Sequence, residues 1–243
     1  MSMSASPRIE EVDALRGVGI LAVVLFHFFF DLSFLGLSAL EPYAGPYLVL
    51  QRFAASTMVV VAGISLALSR ASARRKGVPF PAKAFRRFLS LAFVALLITV
   101  VTWVYPHNGY IVFGIIHFLA LSTLLALPLA RSTWPALAAA IAFFVAAPYV
   151  NNLSTSTPWL LPLGVPPTWF YSLDYFPLVP WFGLFLFGVF FGNHYYARGR
   201  RLLAVFPRFP RGLQWLGRHT LWIYLVHQPL LIGFLLAFKS VAG

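Results

Sequence analysis

Long apolar runs alternate along this chain with short clusters of charge, proline and glycine. A helix needs about 20 largely apolar residues to cross the hydrocarbon core of a bilayer. Seven segments approach that length: 14–36, 47–69, 88–105, 109–129, 134–150, 177–196 and 219–238. The fifth is the shortest. The pattern predicts an all-α, polytopic transmembrane helix bundle of about seven spanning helices, built as a single domain over residues 1–243. Between the second and third runs, the stretch from Pro79 to Arg87 reads as a short interfacial segment on anionic headgroups. Residues 151–176 are rich in Asn, Ser, Thr, Pro and Trp and polar enough to leave the membrane. Trp159, Trp169, Phe170 and Tyr171 are expected to hold that loop at the interface.

Composition sharpens this picture. Hydrophobic residues make up 60% of the chain and charged residues 10%, with a mean hydropathy of +0.82. A soluble domain carries about 25% charged residues. So little charge cannot cover a water-exposed surface, and most of the surface must face lipid. The net charge of +12 invites a nucleic-acid partner. The basic residues sit in clusters between apolar runs, however, where the positive-inside rule places them, so membrane lipids and not nucleic acid are the expected partners. With the N-terminus cytoplasmic, all but Arg52 and Lys239 of the 18 Lys and Arg residues fall on the inner side. That asymmetry predicts a cytoplasmic N-terminus and supports the count of seven. The chain has no Cys, which excludes disulfides, thiolate metal sites and a covalent Cys intermediate. Glu10, Glu11 and Asp13 open the first run, which has no cleavage-site pattern and is expected to stay as a helix.

Ionisable groups inside a spanning segment are costly and usually mark function. Arg16, His27 and Asp31 stand at spacings of eleven and four, which places all three on one helix face. Eleven residues of helix are about 16 Å, comparable to the pantetheine arm of coenzyme A. Arg16, at the cytoplasmic mouth, suits phosphate groups through charge-assisted bonds. His27 lies near mid-membrane and is the right type for a general base, with Asp31 placed to orient it. His117 and His227 reach a similar depth, each roughly 12 Å into a core about 30 Å thick. Gln228 and Pro229 follow His227, and Pro229 frees the carbonyl of Leu225, which suits a helix that lines a cavity. Asp174 is a candidate substrate-binding group, or else a helix cap before the sixth run. Arg52 either binds substrate, pairs with Asp31 or snorkels to outer headgroups. Gly63 and Ser65 read as close-packing residues, and His107, His194 and His219 as helix-end residues. No metal site is expected: HExxH, a P-loop, GxGxxG before a helix and a Gly-x-Ser-x-Gly elbow are all missing. A His–Asp set within helices equally serves the proton relay of a small-molecule carrier. Haem ligation by the deep histidines is a minor alternative.

Several blocks, taken in order, resemble the catalytic domain of the heparan-α-glucosaminide N-acetyltransferase family. They are 13–17 leading to 27–32 (His-Phe-Phe-Phe-Asp-Leu), then 62–66, 114–117, 174–181, and 216–219 running to 224–229 (Tyr-Leu-Val-His-Gln-Pro). The chain looks like the short bacterial members of that family. The spacing of Arg16 and His27 is also similar to that of the wider membrane acyltransferase group that modifies surface sugars. The resemblance implies a multi-pass protein of the bacterial cytoplasmic membrane. It implies acetyl-CoA or another acyl-CoA as donor from the cytoplasmic side. It implies transfer to an amine or hydroxyl of a sugar, amino sugar or envelope glycan at the outer half of the membrane. His27 then takes the base role and Arg16 the donor-side role, with Arg52, His117, Asp174, His227 and Gln228 binding substrate. A homodimer is compatible with it. The lysosomal members carry Asn at the position that looks equivalent to His27, with their His a little downstream, and 28–40 here contains no His.

Overall fold

The computed structural model describes residues 9–203 and 208–242. Arg8, counted above among the inner basic residues, lies outside them. Among the described residues there are eight α-helices: α1 (Glu10–Phe34), α2 (Gly45–Arg75), α3 (Phe80–Val104), α4 (Ile115–Leu125), α5 (Trp134–Val150), α6 (Leu178–His194), α7 (Arg211–Arg218) and α8 (Thr220–Ala242). Short 3-10 turns cover Pro158–Leu163 and Tyr196–Arg198. Among the described residues there is no strand, only two isolated bridges, Phe113 to Tyr175 and Thr155 to Pro167.

Among the described residues five helical segments are long and apolar enough to cross a membrane: Glu10–Phe34, Gly45–Arg75, Phe80–Val104, Leu178–Arg198 (α6 with the 3-10 turn that follows it) and Thr220–Val241. The run 109–129 is shorter as a helix than its hydropathy suggests. Gly109 takes a left-handed φ of 74°, the backbone stays non-helical to Gly114, and helix begins only at Ile115. At the other end Pro128 has no N–H to continue the ladder, and α4 closes at Leu125. Its 11 residues span roughly 17 Å, against a core of about 30 Å. The 17-residue α5 is at the short end of the range for a spanning helix and is not among those five. The Pro79–Arg87 stretch is likewise not a separate interfacial segment. It is mostly the first turns of α3, which Pro81 suits because the first helical N–H groups have no partner in any case.

The chain divides into two compact units, with the division inside α2 after Val61. The first holds α1, the first half of α2, α7 and α8. Its apolar centre is Ile20, Ala22, Val23 and Ala54, flanked by Leu50, Met58, Leu216, Ile223 and Tyr224. The first turn of α1 carries Glu10, Glu11 and Asp13, where negative charge meets the positive end of the helix dipole. Fully buried Glu11 also accepts a hydrogen bond of 2.8 Å from the Leu203 N–H.

A feature the hydropathy pattern does not show is α7, packed tightly against α1. A Cβ on Gly17 would run into the carbonyl of Leu213, and one on Gly217 into the carbonyl of Asp13. Two glycines therefore let the backbones touch at two points. Polar bonds reinforce this junction. The Arg16 guanidinium donates to Asp13 (3.0 Å) and to the Gly217 carbonyl (3.2 Å), and Arg218 donates to Asp13 (3.4 Å) and Gln214 (3.1 Å).

The second unit holds the rest of α2 and α3 to α6. Gly63 lies against the backbone of Phe185, and Gly192 against Ile64 and Ala67, so small residues bring α2 and α6 together. Gly183 does the same beneath Ala140 of α5. Large apolar side chains such as Phe93 (69% exposed) on α3 point outward from this unit. On α8 of the first unit Trp222 (70%) does likewise. Trp159, Trp169 and Tyr171 of the 151–176 loop are also exposed, as aromatic anchors at an interface would be. Helices of this length and composition, with apolar side chains outward, describe an integral membrane protein.

Candidate functional site

In the first unit, α1 and α8 bring four polar residues together. The Nδ1 of His27 lies 2.8 Å from the carbonyl of Val23, one turn below. A carbonyl only accepts, so in the neutral ring Nδ1 carries the proton and Nε2 keeps its lone pair. His227 repeats the arrangement on α8, with Nδ1 2.7 Å from the carbonyl of Tyr224. The two rings meet edge to face, 4.8 Å between centroids. Beside them, fully buried Asp31 accepts a 2.6 Å hydrogen bond on Oδ1 from the Gln228 side-chain amide.

This bonding leaves a specific remainder. Asp31 Oδ2, Gln228 Oε1 and His227 Nε2 are buried without a hydrogen-bond partner among the described residues. Every one of them accepts. The Gln228 amide is oriented by its donation to Asp31, so its oxygen is the atom left over. Buried polar groups are normally satisfied, because each orphan costs about 1–3 kcal/mol. A cluster whose orphans all accept suits a ligand group that only donates, such as an ammonium, or a hydroxyl.

The spacing of His27 and Asp31 predicts one buried face, and both lie on it. The hydrogen bond expected between them is replaced: the Val23 carbonyl orients His27, and Asp31 takes Gln228. Arg16 sits about 16 Å down the helix from His27, in the α1–α7 junction, with Asp13 and the Gly217 carbonyl as partners. Those bonds place a cation at the C-terminal end of α7, where the helix dipole favours it. Arg52 is exposed on α2.

In the second unit, Asp174 caps a helix, but α4 and not the sixth run. Its Oδ2 accepts the N–H of Ile115, the first residue of α4, at 2.9 Å. Gly114 leaves no room for a side chain beside that oxygen. Burial raises the Asp174 carboxyl to about 6, and the Ile115 N–H pulls in the opposite direction. The adjacent Tyr175 hydroxyl donates to the Leu161 carbonyl at 2.7 Å and is raised by burial to about 12. His117, third in α4, has Nε2 at 3.0 Å from the hydroxyl of Thr99 on α3. Thr99 carries no signal in the sequence beyond being one of three hydroxyl residues, with Ser90 and Thr102, in a mostly apolar run. His107 and His219 are helix-end residues, each bonding through Nδ1 to the carbonyl four residues earlier. His194 closes α6.

The family described as "Heparan-alpha-glucosaminide N-acetyltransferase, catalytic" matches residues 8–229. No curated protein and no solved structure matches the chain. The match runs from before α1 to Pro229, through every candidate residue above. The chain therefore belongs to the heparan-α-glucosaminide N-acetyltransferase catalytic-domain family, whose members are membrane acetyltransferases.

Proposed function

We propose that this protein transfers an acetyl or other acyl group from acyl-CoA, taken from the cytoplasmic side, to an amine or hydroxyl of a sugar or envelope glycan at the outer half of the membrane. Family membership supports acetyl transfer in general. The observation that carries the finer reading is the pairing of two imidazoles whose Nδ1 protons are tied to helix carbonyls. Both Nε2 atoms are then in the state a general base requires. Asp31 and Gln228 offer acceptor atoms for the N–H or O–H groups of the incoming nucleophile.

In this scheme the acceptor nitrogen or oxygen attacks the thioester carbonyl and its proton passes to His27 Nε2. The new C–N or C–O bond forms, the C–S bond breaks, and the thiolate of CoA leaves. The proton on His27 returns to that thiolate or to water. With no Cys in the chain, direct transfer is the default route. The acceptor-only character of the cluster favours an amine over a hydroxyl. An ammonium brings three donors, and binding beside Asp31 holds it until it gives one proton to His227 Nε2, which leaves the neutral amine that attacks. The orientation that goes with this reading has a cytoplasmic N-terminus in the bacterial inner membrane.

The test is CoA release from acetyl-CoA by the protein in lipid, with glucosamine and a small glycan panel. Acceptor-dependent release is expected, reduced about 10²–10⁴-fold in His27→Ala, the usual worth of a general base. A second reading, a proton-coupled carrier, draws on the same histidines and Asp31. Absence of release with every acceptor, together with no thermal stabilisation by acetyl-CoA, favours the carrier.

A further inference from the structure

Thr99 decides what His117 can do. Its hydroxyl has one hydrogen and three neighbours: the carbonyl of Ile111 at 2.7 Å, the carbonyl of Ala95 at 3.3 Å and Nε2 of His117 at 3.0 Å. Both carbonyls only accept, so the hydrogen goes to one of them, and the short distance selects Ile111. The hydroxyl oxygen is then the acceptor toward His117, and Nε2 must be the donor. A neutral ring with its proton on Nε2 has its lone pair on Nδ1. That atom is buried and has no partner among the described residues.

The surroundings hold this arrangement in place. Thr102, one turn along α3, accepts the Ile111 N–H at 3.0 Å, so both backbone groups of Ile111 are clamped by α3 hydroxyls. On the other side, Phe176 N–H bonds to the Phe113 carbonyl (2.9 Å), and Asp174 caps α4 at Ile115. His117 thus projects from a helix whose start is pinned from two directions. Its tautomer is the reverse of that found at His27 and His227.

We propose that Thr99 and His117 form a hydrogen-bond-accepting subsite in the second unit, with Thr99 the positioning residue and Nδ1 of His117 the atom that receives a hydroxyl or ammonium group of a ligand. The inference goes beyond the acyl-transfer reading and does not require it. A group that only accepts, such as a phosphate oxygen or a thioester carbonyl, finds no donor at Nδ1.

The experiment is nitrogen-15 NMR of the full chain, labelled at histidine, in lipid nanodiscs. His117→Gln identifies the resonances, and Thr99→Val and Thr99→Ser are compared with wild type. His117 is expected as the Nε2–H tautomer in wild type and in Thr99→Ser. In Thr99→Val the ratio should move about five-fold toward Nδ1–H, what loss of one ordinary hydrogen bond gives. Glucosamine, which offers hydroxyl and ammonium groups, should shift Nδ1 in wild type and Thr99→Ser and act several-fold more weakly on Thr99→Val. A wild-type ring protonated on Nδ1, or a ratio untouched by Thr99→Val, overturns the role of Thr99. Absence of any glucosamine shift overturns the subsite. Neither result depends on CoA release, so failure of the acyl-transfer reading remains distinguishable.

Discussion

Asp31 and Gln228 show how much one side-chain bond can settle. Asp31 donates nothing when ionised, and the Gln228 amide spends a proton on it. Gln228→Leu keeps the bulk and removes that donor, leaving both carboxylate oxygens without it. We expect acyl transfer to fall by about 10-fold or more, with thermal stability reduced by about 1–3 kcal/mol for the orphaned carboxylate; steady-state kinetics and thermal unfolding measure the two. Gln228→Glu places two carboxyls against each other and should be the more harmful. At Asp174 the sign runs through pH. The folded carboxyl keeps its proton up to about 6, whereas an unfolded one releases it near pH 4. Between these values the folded state binds more protons, so stability is full below pH 4 and falls as pH rises through 6. Melting temperatures from pH 4 to 7 should show a smaller contribution of this kind in Asp174→Asn than in wild type, since the variant loses this titration but still offers an oxygen to Ile115.

Among the elements, α7 depends for its placement on two close backbone approaches. It has eight residues, too few to be stable alone, and is held by its seat on α1. Gly217→Ala would put a methyl group into the carbonyl of Asp13, forcing the helices apart and disturbing the bonds from Arg16 and Arg218. The expected loss is about 1–3 kcal/mol, the usual cost of overpacking, read as a lowered melting temperature. Gly212→Ala, on the same helix but with open space around it, should be neutral or slightly stabilising. Equal destabilisation by both variants would mean that helix propensity and not the close approach governs α7. The other element that hydropathy misjudges is α4. Its apolar run continues through 109–114, but those residues are bonded to α3 and to the 172–176 loop and are not free to coil.

At the scale of the whole molecule, the charge asymmetry predicts which loops meet the cytoplasm. The absence of Cys makes this simple to test, since a single introduced thiol is the only one present. Lys76→Cys, between α2 and α3, should resist a membrane-impermeant maleimide in intact cells and react after lysis. Trp159→Cys, at a site 84% exposed, should react in both. The reverse pattern would invert the topology, and with it the side from which donor is taken.

The sequence by itself determined the membrane character, the helical class and the family, and it singled out His27, Asp31, His227 and Gln228. Hydropathy is a sum over neighbouring residues, and the family blocks follow one another in order, so both survive without coordinates. Tertiary structure decided the rest. It gave Asp31 a partner 197 residues away, handed His27 to the Val23 carbonyl, and drew Arg16 into the α1–α7 junction. It also set Thr99 against His117, a contact between helices with nothing in either local pattern to announce it. Which hydrogen bond a side chain makes depends on positions to within a few tenths of an ångström. Those positions are fixed by the packing of segments distant in the chain, and no local window contains them.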